Sequence, residues 1–176
     1  MQNKNFEVYL DLGSSKIRAA AFSNDKKNDN FFYESKYFND YLKIESEIEK
    51  TISKLEDKTD EYLNEVNLML DSPEILTIGI SLSKNLDGST LKKQNVKFLI
   101  QDAKQQILSN YQNYDIIHII IKNYKIDHID YTFFPTSINA NLLSVDVIFI
   151  CLPKKTTRYY KSLFSKFDVS INQIFC

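Results

Sequence analysis

Glycine and proline are scarce in this chain of 176 residues, three of each. Long flexible linkers draw on those residue types, so none is expected. Cysteine occurs only at Cys151 and Cys176, without the partner spacing of a zinc or dithiol site, which fits a reduced cytoplasmic protein. The two histidines, His118 and His128, lie in stretches that read as strands, away from any Ser or Cys nucleophile pattern, and catalytic roles are not expected of them. No HExxH, paired-cysteine or EF-hand spacing occurs, so no protein-built metal site is expected either. No apolar run reaches the roughly 18 residues of a membrane helix. The start, Met1-Gln2-Asn3-Lys4-Asn5, is polar and runs straight into a strand, so no secretory h-region is expected. Nor does one sign of charge dominate. With 22 Lys and Arg against 23 Asp and Glu, nucleic acid and anionic membranes are not expected as main partners.

What the chain has is the material for a core. Hydrophobic residues make up 43% and aromatics 13%, enough for one good domain or two small ones. Residues 6 to 12, 17 to 23 and 31 to 38 read as a meander of three strands, with polar residues 24 to 30 as its second turn. From Tyr41 to Asn64 the period changes: Ile44, Ile48, Ile52, Leu55 and Tyr62 recur at helical spacing, with Glu and Lys on the other face. Glu65 to Leu70 returns to a strand. Asp71-Ser72-Pro73-Glu74 then breaks the chain, dividing it into units of residues 1–72 and 73–176.

The second unit opens with Leu76, Ile78, Ile80 and Leu82 alternating with Thr77, Gly79, Ser81 and Ser83, a half-buried strand ending at the turn Asn85-Leu86-Asp87-Gly88. A helix follows from Asn95, which can cap it, to about Tyr111. Strands at 116 to 122 and 126 to 134, joined at Asn123-Tyr124-Lys125, precede a strand from Leu142 to Leu152. Its stretch Ile148-Phe149-Ile150-Cys151-Leu152 is apolar on both faces, so it should be central in its sheet. A helix from Lys154 to Phe167 and a strand from Ile171 to Phe175 complete a β-α-β-β-β-α-β order. The fold class is therefore α/β (α+β): a β-meander plus helix, then a small α+β module. Lys154, Lys155, Arg158 and Lys161 fall on more than one helical face, which favours a solvated helix start over a nucleic-acid surface. Tyr131, Phe133 and Phe134 read as packing residues rather than a base-stacking platform.

One turn carries chemistry. Between two apolar strands stands Asp11-Leu12-Gly13-Ser14-Ser15-Lys16, in which glycine admits a close anion, the serines offer hydroxyl and N–H donors, and Lys16 adds positive charge. Such a turn can surround a phosphate. Taken alone, the local pattern favours a plain hairpin connection.

The hairpin Val8 to Ile17 resembles the first phosphate loop of the actin-like (ribonuclease H-like) ATPases, and the order of elements after it resembles the bacterial cell-division family FtsA. There a partial subdomain 1A is interrupted after a strand similar to Val66–Ser72 by the SHS2-like subdomain 1C. Asn95 to Lys104, Ile116 to Ile120, Tyr124 to Tyr131, Val145 to Cys151 and Val169 to Phe175 resemble successive 1C elements and the strand returning to 1A. The resemblance covers nearly the whole chain from Phe6. It implies that Asp11 approaches magnesium through water, and that Gly13, Ser14, Ser15 and Lys16 touch the β- and γ-phosphates of ATP. It also implies a division scaffold of the Z-ring and divisome, with 1C serving self-interaction and recruitment of other division proteins at the cytoplasmic face of the inner membrane. The family's second phosphate loop, adenosine loops, 2A and 2B subdomains, FtsZ contacts and membrane helix have no counterpart before Cys176. A fragment, truncated product or short relative is therefore expected, with ATP binding weak or absent and no enzyme activity. A pilus-assembly scaffold like PilM, or a truncated actin-like ATPase or kinase, is the alternative.

Overall fold

The computed structural model describes residues 6–13, 15–24, 30–36, 43–136 and 138–176. Ser14 and the turn residues 25–29 lie outside them, as do residues 37 and 38 of the expected third strand. Two compact units emerge, Met1–Pro73 with Thr156–Cys176, and Glu74–Lys155.

The first unit is built on a five-stranded sheet in the order β3-β2-β1-β4-β9. Strands β1 (Phe6–Leu12), β2 (Ile17–Ser23) and β3 (Phe31–Glu34) form an antiparallel meander. Strands β4 (Glu65–Leu70) and β9 (Ser170–Phe175) extend it in parallel from β1. Alternation sends Val8, Leu10, Leu12, Ile17, Ala19, Ala21, Val66, Leu68 and Leu70 to one buried face. Helix α1 (Ile44–Thr59) packs there against β2 and β3 through Ile44, Ile48, Ile52 and Leu55. The small Ala19 and Ala21 leave space for its approach. Each of the fully buried aliphatic side chains contributes about 1.5–3 kcal/mol. Helix α3 (Lys154–Ser165) ends where Lys166 Nζ donates to both carboxylate oxygens of Glu45 at 2.8 Å, tying it to the start of α1.

Helix α1 is shorter than its periodicity predicts. It stops at Thr59 because Asp60 turns left-handed at φ 54°, its N–H closing on Glu56 O at 2.9 Å. Tyr62, read from sequence as part of the apolar face, lies past that stop and is exposed. The last strand, expected to return from residues 73–176 to the first unit, pairs as β9 with β4, and from Thr156 onward the chain groups with that unit.

The second unit holds an antiparallel sheet in the order β5-β8-β6-β7, made of β5 (Leu76–Asn85), β6 (Tyr114–Ile126), β7 (Ile129–Tyr131) and β8 (Leu142–Pro153). Strand β8 is internal, as its two apolar faces require, and buries Val145, Val147, Phe149 and Cys151 on one side. Helix α2 (Lys93–Asn110) packs on β5 and β6 with Val96, Ala103 and Ile107 buried. Asn95, expected as the cap, sits one turn in and accepts the Lys92 N–H at 2.9 Å. The turn expected at 123 to 125 is instead part of β6, which runs through irregular register at 116/118 and 121/123. Such irregularities break the alternation by which a strand is read. The chain reverses at Asp127 and His128, φ 46° and 73°, so His128 is a turn residue rather than a strand residue. Asp127 holds the turn by accepting the N–H groups of Asn141 and Leu142.

Replacing Phe149, which is fully buried, by Ala should destabilise the second unit by about 3–5 kcal/mol, read in urea unfolding. Maleimide should label one thiol in the native chain, the exposed Cys176, and a second, Cys151, only on unfolding.

Candidate functional site

The turn from Gly13 to Lys16 closes with Gly13 N–H donating to Lys16 O at 3.1 Å. A Cβ on Gly13 would lie 3.0 Å from that same oxygen. Glycine thus relieves a close contact within the turn itself. A hairpin this tight fixes its register, Leu12 opposite Ile17 and Asp11 opposite Arg18, and β3 continues the second row with Glu34 opposite Arg18. Asp11, Arg18 and Glu34 therefore stand side by side on the sheet face away from α1.

They form a ladder of charge. Arg18 donates to Asp11 at 3.2 Å and, through Nε, to Glu34 at 3.0 Å, while Lys16 Nζ bonds the other Glu34 oxygen. The Lys16 hydrogen bond, then that of Arg18, holds the Glu34 carboxyl below its ordinary value; Glu34, then Asp11, raises that of the Arg18 guanidinium. Behind the ladder, the buried Ser35 accepts the Ile17 N–H at 2.9 Å while Ser35 N–H bonds Ile17 O at 2.8 Å, fixing the end of β3 to the start of β2.

Beside the charges lies an apolar row. Phe32, Phe22, Tyr9 and Phe175 contact one another in turn across the face at ring-centroid distances of 5.8, 5.8 and 6.2 Å. Phe32 is 73% exposed and Met69 43%. An open cleft of about 530 Å³ runs over Tyr9, Asp11, Arg18, Phe32, Glu34 and Met69.

Of the residues expected around a phosphate, Gly13 and Lys16 close one turn, Ser15 lies within it, Asp11 stands at its foot, and Ser14 is outside the described residues. Arg18 and Glu34 were not singled out from sequence. Their signal was there in part, since a four-residue turn after Leu12 sets Arg18 opposite Asp11; the pairing with Glu34 needed the β2–β3 register. As arranged, the set does not fit a magnesium-bound triphosphate: both cations are engaged by carboxylates, and the four side chains sum to no net charge. Among the described residues no three His, Cys, Asp or Glu side chains converge as metal ligands, and no helix is long and apolar enough to cross a membrane.

No family model and no curated protein sequence matches the chain. Among solved structures it is similar to the PilM-PilN type IV pilus biogenesis complex, with a TM-score of 0.55 and 9% identity over 96% of this chain and 46% of that one. It is also similar to the cytoplasmic domain of EpsL, an inner membrane component of the type II secretion system of Vibrio cholerae, at 0.46 and 7% over 97% and 56%. A third is a Bacteroides thetaiotaomicron protein of unknown function with an actin-like ATPase fold, at 0.38 and 14% over 96% and 51%. The likeness to the PilM-PilN structure shows a shared mixed α/β fold over nearly the whole of this chain. The chain spans about half the length of each of these structures.

Because the Glu34 carboxyl is stabilised in its charged form, its contribution to stability is present at neutral pH and is lost as pH falls below the ordinary value of 4.5. Carboxyl titration by NMR should place its midpoint below that value, and Lys16→Ala should move the midpoint up. Gly13→Ala should destabilise the first unit by roughly 1 kcal/mol, since backbone rather than a flexible side chain must yield.

Proposed function

We propose that this chain acts by binding proteins, as a scaffold built on part of an actin-like fold, and not by turning over nucleotide. The charge ladder carries the reading. Lys16 and Arg18, the cations that would meet a phosphate tail, are held by Glu34 and Asp11, and a tail placed on the turn would face both carboxylates. The roles of Asp11 near magnesium and of Gly13, Ser14, Ser15 and Lys16 at the phosphates belong to the complete family the sequence resembles; in this chain ATP binding is weak or absent. Protein binding needs no such completion, because a small α+β module offers sheet edges and helix faces as it stands.

Two assemblies suit such a scaffold. The order of elements supports an FtsA-like role in division, with self-interaction and other division proteins as partners at the cytoplasmic face of the inner membrane. The likeness to the PilM-PilN structure supports a PilM-like role in pilus assembly equally well.

Calorimetric titration of Mg-ATP into the chain should give no micromolar binding, and micromolar binding would overturn the proposal. Purification from the native cell then separates the assemblies: division proteins on the chain support the first role, pilus proteins the second. Recovery of neither sinks the scaffold reading.

A further inference from the structure

Strand β5 is an outer strand of the second sheet, with β8 on one side and no described strand on the other. Outer strands are normally blunted by shortness, charge, proline or bulges, because their unpaired backbone groups invite a further strand. The others here follow that rule. Strand β7 has three residues and carries Asp130, β3 has four, and β9 meets β4 through an irregular register. Strand β5 does not: Leu76 to Ser83 contains neither charge nor proline, and its register with β8 is unbroken from Leu76 to Asn85.

Its side chains also await a neighbour. Leu76, Ile78, Ile80 and Leu82 pack against the core yet remain only half-buried, while Thr77, Gly79, Ser81 and Ser83 on the other face are small, neutral and exposed. A further strand would finish burying the first row and meet no bulk or charge on the second.

We propose that this strand is β5 of a second copy, paired antiparallel about a two-fold axis at Gly79. The register follows from side chains, since residues directly opposite in an antiparallel pair share a face. Centred on Gly79, Leu76 lies opposite Leu82 of the partner subunit and Ile78 opposite Ile80 of the partner subunit, so all four apolar positions are matched. Glu74, which precedes β5 and is held by Lys155 of its own chain, then falls opposite Lys84 of the partner subunit, so the charges that meet at each end of the pair are of opposite sign. Centring on Ile78 would set Leu82 against glutamate, and centring on Ile80 would set Leu76 against lysine. At the axis Gly79 faces itself, and a Cβ there would meet nothing within 4 Å in one copy, so a side chain at this position tests the pair without disturbing the monomer.

This deepens the scaffold reading, on which it rests, by naming one partner; the two fail separately, since Mg-ATP binding bears on the first and the state of β5 on the second. Sedimentation of the full chain should show a monomer–dimer equilibrium with a midpoint of about 10–100 μM. Gly79→Lys puts two ammonium groups face to face and should weaken association at least about tenfold at low salt, less at high salt, with unchanged circular dichroism. In a Cys176→Ser background, Gly79→Cys should oxidise to a cross-linked dimer. A chain that stays monomeric at ~500 μM overturns the proposal. So does a dimer that Gly79→Lys leaves unchanged or that Gly79→Cys fails to cross-link.

Discussion

The parallel pairing of β9 with β4 makes the end of the chain part of the sheet that its beginning builds. Ser170 binds Asn64 O twice, through its N–H and its hydroxyl, each at 2.9 Å. Further along, Asn172 donates to Asn67 at 3.1 Å, and Asn67 in turn donates to Glu7 at 3.3 Å. Asn67 is 4% exposed, and a polar side chain at that depth is costly unless bonded. This relay of amides and a carboxylate therefore specifies which strand sits beside which. Without β9, β4 would be an outer strand whose amide lost a partner. Parallel neighbours need long crossovers, and here one crossover consists of a whole antiparallel module with its own core followed by α3. Closure entropy grows only slowly with length, so a module with its own core adds little to the cost of bringing β9 home.

The same sheet has two unlike faces. Parallel strands are usually covered on both sides, whereas an antiparallel meander tolerates water on one. The first sheet is a mixture: α1 covers one face, and the other presents the row from Phe32 to Phe175 and the ladder from Asp11 to Glu34. Cross-strand pairing accounts for both features. Charges opposite one another at the turn end stabilise register, and aromatics further along do the same by contact.

Where sequence pattern and physics coincide, the fold was legible. Alternation in β1, β2 and β5 and the double apolar face of β8 each predict the observed strands, and Ile44, Ile48, Ile52 and Leu55 predict α1. The misses have local causes. Irregular register hid the continuity of β6, and a left-handed aspartate ended α1 where composition allowed it to continue. The candidate site was legible only as far as its turn. Glycine, serine and lysine advertise an anion site, but Glu34 answers Lys16 from another strand, and no local motif records that.

That distant residue decides more than the motif does. An exposed ion pair adds little net stability, so Lys16 could leave Glu34 at small cost. Its departure, however, would strip Glu34 of the contact that most lowers its pKa and leave that carboxylate beside the incoming anion. Arg18 cannot serve both it and Asp11 and still turn to the ligand. On the proposed reading, the obstacle to phosphate is uncompensated negative charge rather than the strength of any bond. By that logic the residue separating a nucleotide loop from a structural hairpin is the glutamate on β3, not the glycine or serines by which such loops are recognised.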